Sequence, residues 1–186
     1  MDYHRRTIRL KQYDYSEDGF YFVTICTQNR ENLFGEITGG IMKINYAGEI
    51  IKKWYTKSES KFANIKCGEY VIMPNHFHCI MEFVGADPRV CPESPENNEC
   101  TQIQGEHMGS PLHKTPLPQI IQWFKTMTTN EYIKMIKQNL LPSFDKRVWQ
   151  RNYHEHIIRN EAEYYRIIEY IKNNPVLWEN DCYNSR

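Results

Sequence analysis

The sequence predicts an α+β fold: one domain with an antiparallel sheet and helices packed on one of its faces. Three observations lead there. The segments read strand, helix, strand, strand, helix, strand, helix in order along 186 residues. The strand candidates are rich in β-branched and aromatic residues, and the first of them is apolar throughout, as a buried strand is. The helix candidates carry apolar residues at spacings of three and four, the stripe a helix buries against a sheet.

Phe20 to Thr27 (FYFVTICT) is apolar throughout and predicts a central strand. Leu33 to Ile44 holds Gly35, Gly39 and Gly40 and predicts a short hairpin or loop. Asn45 to about Ser60 reads as a helix, with Ile50, Ile51, Trp54 and Tyr55 inward and Asn45 as its cap. Strands follow over residues 67–73 and 76–84, broken at Pro74-Asn75. Pro118 to Gln138 predicts a helix with Ile120, Ile121, Phe124, Met127, Tyr132, Met135 and Ile136 facing inward. Val148 to Ile158 alternates roughly and predicts a strand. Asn160-Glu161-Ala162-Glu163 resembles a capping box, opening a helix that runs to about Asn173 before Pro175.

Residues 85–118 differ from the rest. They hold six of the nine prolines and more acidic than basic residues, which predicts a long mobile loop. An inert insertion is favoured over a lid.

Composition narrows the function classes. Net charge is zero, so bulk electrostatics gives no argument for nucleic acid. A local basic run, Arg5, Arg6, Arg9 and Lys11, stands near the start. The six cysteines form no CxxC pair, which argues against a zinc ribbon or thioredoxin-type motif. No apolar run of about 18 residues occurs, so no membrane span is expected. The start Met-Asp-Tyr-His-Arg-Arg lacks an apolar signal segment. The expectation is a cytoplasmic protein with free thiols.

The chemistry concentrates in Tyr70 to Phe83, where His76 and His78 flank Phe77. Residues two apart on a strand share a face, so two imidazoles stand side by side while Phe77 and Cys79 point to the opposite layer. Such a pair suits a divalent metal, although a His-x-His alternation also arises by chance. In the last helix Tyr164, Ile167, Ile168 and Ile171 form the apolar stripe. Tyr170 lies off that stripe, with Glu163, Arg166 and Asn174 on its flank. From spacing alone this is undecided, because flank tyrosines also cover core edges and Asn174 before proline also reads as a C-terminal cap. Two imidazoles and one amide oxygen would leave open positions on an ion that polarises a phosphodiester. A tyrosine with a pKa near 10 is only about 0.1% ionised at neutral pH, a deficit of about 4 kcal/mol, so it needs an activated electrophile.

The chain resembles the REP-associated tyrosine transposases, a branch of the HUH single-strand transposases. The resemblance rests on Arg6 to Arg9 followed by Tyr13-Asp14-Tyr15, on Tyr21-Phe22-Val23-Thr24, and on Met73-Pro74-Asn75-His76-Phe77-His78. It continues through Ile121-Gln122-Trp123-Phe124-Lys125 and Trp149-Gln150-Arg151-Asn152-Tyr153 with His156 and Arg159. It closes on Glu169-Tyr170-Ile171 and Asn173-Asn174-Pro175. It implies a single domain over 1–186 with a ferredoxin-like sheet, the histidine-bearing strand central and the C-terminal helix carrying the tyrosine. It implies His76, His78 and Asn174 as ligands of Mg²⁺ or Mn²⁺, although ligand chemistry alone favours zinc. It implies Tyr170 as the nucleophile that takes a 5′-phosphate. The implied partner is single-stranded or hairpin DNA, bound by a monomer or homodimer. Arg5, Arg6, Arg9, Lys125, Arg151 and Arg166 are the candidate DNA contacts. A non-catalytic nucleic-acid-binding domain and a zinc hydrolase stand as the alternatives.

Overall fold

The computed structural model describes residues 14–85 and 114–184. Four strands form one sheet in the order β4-β5-β1-β6. They are β1 (Gly19–Cys26), β4 (Ile65–Ile72), β5 (His76–Phe83) and β6 (His154–Ile158), and every neighbouring pair is antiparallel. A separate hairpin, β2 (Gly35–Thr38) and β3 (Ile41–Ile44), precedes helix α1 (Tyr46–Lys61). Its two-residue turn is Gly39-Gly40, both at positive φ (59° and 74°), the backbone such a tight hairpin turn requires. Helix α2 (Leu117–Lys137) and helix α3 (Glu161–Asn173) complete the chain order. The expected β-α-β-β-α-β order, with β5 and β1 central, is the ferredoxin-like arrangement.

The caps follow the sequence reading. The Asn45 side chain accepts from the backbone N–H groups of Ala47 and Gly48, and Asn160 accepts from that of Glu163. The Glu163 carboxylate reaches back one residue further than a capping box, to the Arg159 N–H at 2.9 Å.

Strand alternation sorts the sheet into two faces. Tyr21, Val23, Ile25, Phe77, Cys79, Met81 and Phe83 lie on one face in the main core, under Ile51 and Tyr55 of α1 and Ile120, Ile121 and Phe124 of α2. The other face carries a smaller cluster: Ile80 and Ile158 from the sheet, with Ile167 and Ile171 from α3. The helices of the ferredoxin-like unit therefore share one face as expected, and α3 is added on the second. That placement positions the site, because His76 and His78 lie on the α3 side.

The strand expected over Val148 to Ile158 is shorter in the structure. Only His154–Ile158 pairs with β1, and Trp149 makes a single bridge to Thr27. The reason is Lys125. Its ammonium takes the carbonyls of Gln150, Arg151 and Asn152 at 2.8, 3.2 and 3.1 Å, turning them away from a strand ladder. Of the expected loop at 85–118, residues 86–113 lie outside the described residues, and α2 begins at Leu117. Cys26, Cys67, Cys79 and Cys182 are free thiols, as expected; Cys91 and Cys100 lie outside the described residues.

Candidate active site

The site starts from the register of β1 and β5, which sets Thr24 opposite His78 and Cys26 opposite His76. Both histidines are buried, and their ring centroids are 4.5 Å apart. The Thr24 hydroxyl stands 2.7 Å from His78 Nδ1. Asn75 Oδ1 stands 2.8 Å from His76 Nδ1. The Asn75 amide nitrogen donates to the carbonyls of Arg30 (3.2 Å) and Tyr183 (2.8 Å), which only accept. That fixes the orientation of the amide and leaves its oxygen to the imidazole. The proton of neutral His76 therefore sits on Nδ1, and Nε2 presents a lone pair into the site.

Burial holds His76 down to a pKa of about 4, against smaller upward pulls from Asp181 and Asn174. Burial, and then the neighbouring His76, also holds His78 well below its ordinary value. Both imidazoles are neutral at pH 7, the form that binds metals.

Helix α3 brings Tyr170 and Asn174 to this pair from above. The Tyr170 hydroxyl lies 3.3 Å from His78 Nε2. Its ring stands edge-on to Phe22 and to His78, with one side open to solvent (38% exposed). Burial raises the Tyr170 pKa, Asp181 raises it further, and Asn174 lowers it. The resting phenol is protonated. Asn174 is buried one turn beyond Tyr170, and its carboxamide shifts the proton affinity of both His76 and Tyr170.

Sequence reasoning missed the last wall. A short turn, Trp178–Asn180, leads into Asp181, whose carboxylate Oδ2 lies 3.8 Å from His76 Nε2. The Tyr183 ring packs 4.7 Å from that of His76. No periodicity or motif marks Asp181, because it follows the last helix. Thr24 and Asn75 were also missed as partners of the imidazoles, although both lie within segments the sequence singles out.

Three buried atoms here have no hydrogen-bond donor among the described residues: His76 Nε2, Asn174 Oδ1 and Asp181 Oδ2. All three are acceptors, and a group of acceptors without a donor is chemically suited to a cation. Among the described residues no three His, Cys, Asp or Glu side chains stand ready-placed around one ion, so a donor set here would draw on the Asn174 amide as well.

The candidate DNA contacts fare differently. Arg166 is highly exposed, 3.5 Å from Glu163, and Arg151 is exposed. Lys125 is buried under the three carbonyls it binds, a position that builds the backbone around the site. Arg5, Arg6 and Arg9 lie outside the described residues.

No family model matches the chain. An uncharacterized Haemophilus influenzae protein is 40% identical over 179 residues, covering 96% of this chain and 92% of that protein. The two belong to one family. A second H. influenzae protein, named as a candidate REP-associated tyrosine transposase, is 24% identical over 166 residues, 88% of this chain and 73% of its own length. Among solved structures, a REP-associated tyrosine transposase bound to a REP hairpin superposes with a TM-score of 0.54 at 17% identity, over 91% of this chain and 73% of that one. The chain has the REP-associated tyrosine transposase fold. The resemblance read from the sequence thus holds in sequence and in architecture. Within that fold, the Tyr170 helix and the histidine-bearing strand meet on one face of the sheet. No helix among the described residues is long and apolar enough to cross a membrane.

Proposed function

We propose that this chain, as a single domain, is a divalent-metal-dependent endonuclease and strand transferase for single-stranded DNA that carries a hairpin. The observation that carries the reading is the Tyr170 hydroxyl, 3.3 Å from His78 Nε2, beside buried acceptors that lack donors. The hairpin substrate is extended from the solved relative, whose structure holds a REP hairpin.

In this reading His76, His78 and Asn174 would hold Mg²⁺ or Mn²⁺, which would supply polarisation of the scissile phosphodiester. Thr24 and Asn75 keep the two imidazoles turned toward the site. The Tyr170 oxygen attacks the phosphorus, and its proton passes to water at the open side of the ring. The bond from phosphorus to the 3′-oxygen breaks, and that oxygen leaves as a 3′-hydroxyl. The 5′-phosphate stays on Tyr170, so a second 3′-hydroxyl can reverse the step and join strands without ATP. Exposed Arg151 and Arg166 contact the DNA backbone.

Mass spectrometry of a denatured cleavage reaction tests this. The expected product is a 5′-phosphotyrosine on Tyr170, absent in Tyr170→Phe, which still binds the hairpin. An adduct on Tyr153, Tyr164 or Tyr165 refutes the assignment. Cleavage without any adduct identifies water as the nucleophile and favours a hydrolase.

A further inference from the structure

We propose that Asp181 is a further ligand of the divalent ion, adding the anionic oxygen that His76, His78 and Asn174 lack. The inference rests on the metal site proposed above and concerns a residue outside its three-ligand set.

The Asp181 carboxylate is held through one of its oxygens. Its Oδ1 accepts from the Tyr183 N–H at 2.8 Å, while Oδ2 is buried without a donor. Arg30 donates to the Cys182 carbonyl at 2.7 Å, and Asn75 donates to the Tyr183 carbonyl at 2.8 Å, so the two following residues are fixed to the β1–β5 end of the sheet. Asn184 donates to the Trp178 carbonyl at 3.0 Å and closes the turn behind them. Four contacts thus aim one unsatisfied carboxylate oxygen at His76.

What it faces is another acceptor. His76 Nε2 bears a lone pair, because the ring proton sits on Nδ1 and donates to Asn75 Oδ1. At 3.8 Å the pair is too long for a hydrogen bond, and a lone pair opposite an anion has no attraction of its own. A shared ion removes the conflict. Metal–ligand distances of about 2.1 Å would let two donors of one ion stand up to about 4.2 Å apart, a limit that 3.8 Å lies within. The nearby guanidinium of Arg30 is occupied by the Cys182 carbonyl and lies over the Tyr183 ring.

The chemical consequence is selectivity. Two imidazoles and an amide favour zinc, whereas a carboxylate favours harder ions such as Mg²⁺ and Mn²⁺. Asp181 would therefore bias the site toward Mn²⁺ relative to Zn²⁺.

The test is titration of the apo protein with Mn²⁺ and, separately, Zn²⁺, by calorimetry and, for Mn²⁺, electron paramagnetic resonance without DNA. Asp181→Asn keeps the shape and the acceptor for Tyr183; Asp181→Ala removes both and serves where the first alters folding. Each is expected to weaken Mn²⁺ at least tenfold and Zn²⁺ by a smaller factor. Mn²⁺ affinity within twofold of wild type overturns the proposal. So does an equal loss for both ions, which indicates a general charge effect. Failure of the wild-type protein to bind either ion overturns the metal site itself, and this inference with it.

Discussion

Lys125→Met replaces a buried ammonium with an apolar chain of similar length, and three carbonyls lose their donor. Hydrogen bonds to a charged group contribute about 1.5–3 kcal/mol each. Three separate bonds would sum to about 5–9 kcal/mol, but here one ammonium serves all three, at 2.8 to 3.2 Å. Arg151 and Asn152 are exposed residues, so water can solvate their carbonyls after the substitution. The Gln150 carbonyl, at 2.8 Å, carries most of the loss. The expected destabilisation is about 2–4 kcal/mol, or a fall of roughly 5–15 °C in Tm for a domain of this size. Urea denaturation measures it as a lower midpoint at unchanged slope. A second measurement separates architecture from DNA contact: the salt dependence of hairpin affinity. A lysine on a phosphate would reduce the log–log slope by about 1 when removed, and an architectural lysine leaves it unchanged. Stability within about 0.5 kcal/mol of wild type, together with a slope reduced by one, would refute the reasoning.

Other expectations follow from the same geometry. His76→Ala and His78→Ala should each abolish cleavage in Mg²⁺ or Mn²⁺ while leaving a folded protein by circular dichroism; a wild-type cutting rate in either variant removes the metal assignment. The folded His76 has a pKa of about 4 against an ordinary 6.5, so between these values the unfolded chain binds a proton the folded one does not. Stability of the metal-free protein should therefore fall as pH drops through that window, by up to about 3 kcal/mol from this residue; denaturation in chelator at pH 7 and pH 4 checks it, and His76→Gln should flatten the profile. Deleting most of residues 89–113 should leave fold and cleavage largely intact. Asn64 already ties both flanks, accepting from the Val84 N–H and donating to the Thr115 carbonyl. A well-folded deletion variant that cannot cut would show that the segment acts on DNA.

The central strands β1 and β5 were legible because they are largely apolar runs, and the helices because they keep clean stripes. The pairing of His76 with His78 was legible because a strand alternates with period two. The approach of Tyr170 and Asn174 was legible only as a helix flank, since spacing says which residues share a side but not which face of the sheet that side meets. The position of α3 on the second face depends on Ile80 and Ile158 meeting Ile167 and Ile171, contacts between residues far apart in sequence. Residues 150–153 were misread because the ammonium that bends them belongs to a helix some 25 residues earlier. Asp181 was invisible because a lone acidic residue in an irregular segment carries no pattern.

The ladder between β4 and β5 shifts register between Cys67 and Tyr70, and the Tyr55 hydroxyl fills the gap, 3.1 Å from the Gly68 carbonyl and 2.6 Å from that of Ile80. A phenol from the core helix thus pins the histidine-bearing strand two residues past His78. Slippage by a single residue would exchange the faces, driving both imidazoles into the oily interior and Phe77 out beneath α3. Alignment of this strand therefore decides which face the two imidazoles take, and the pin that enforces it lies on the opposite side of the sheet.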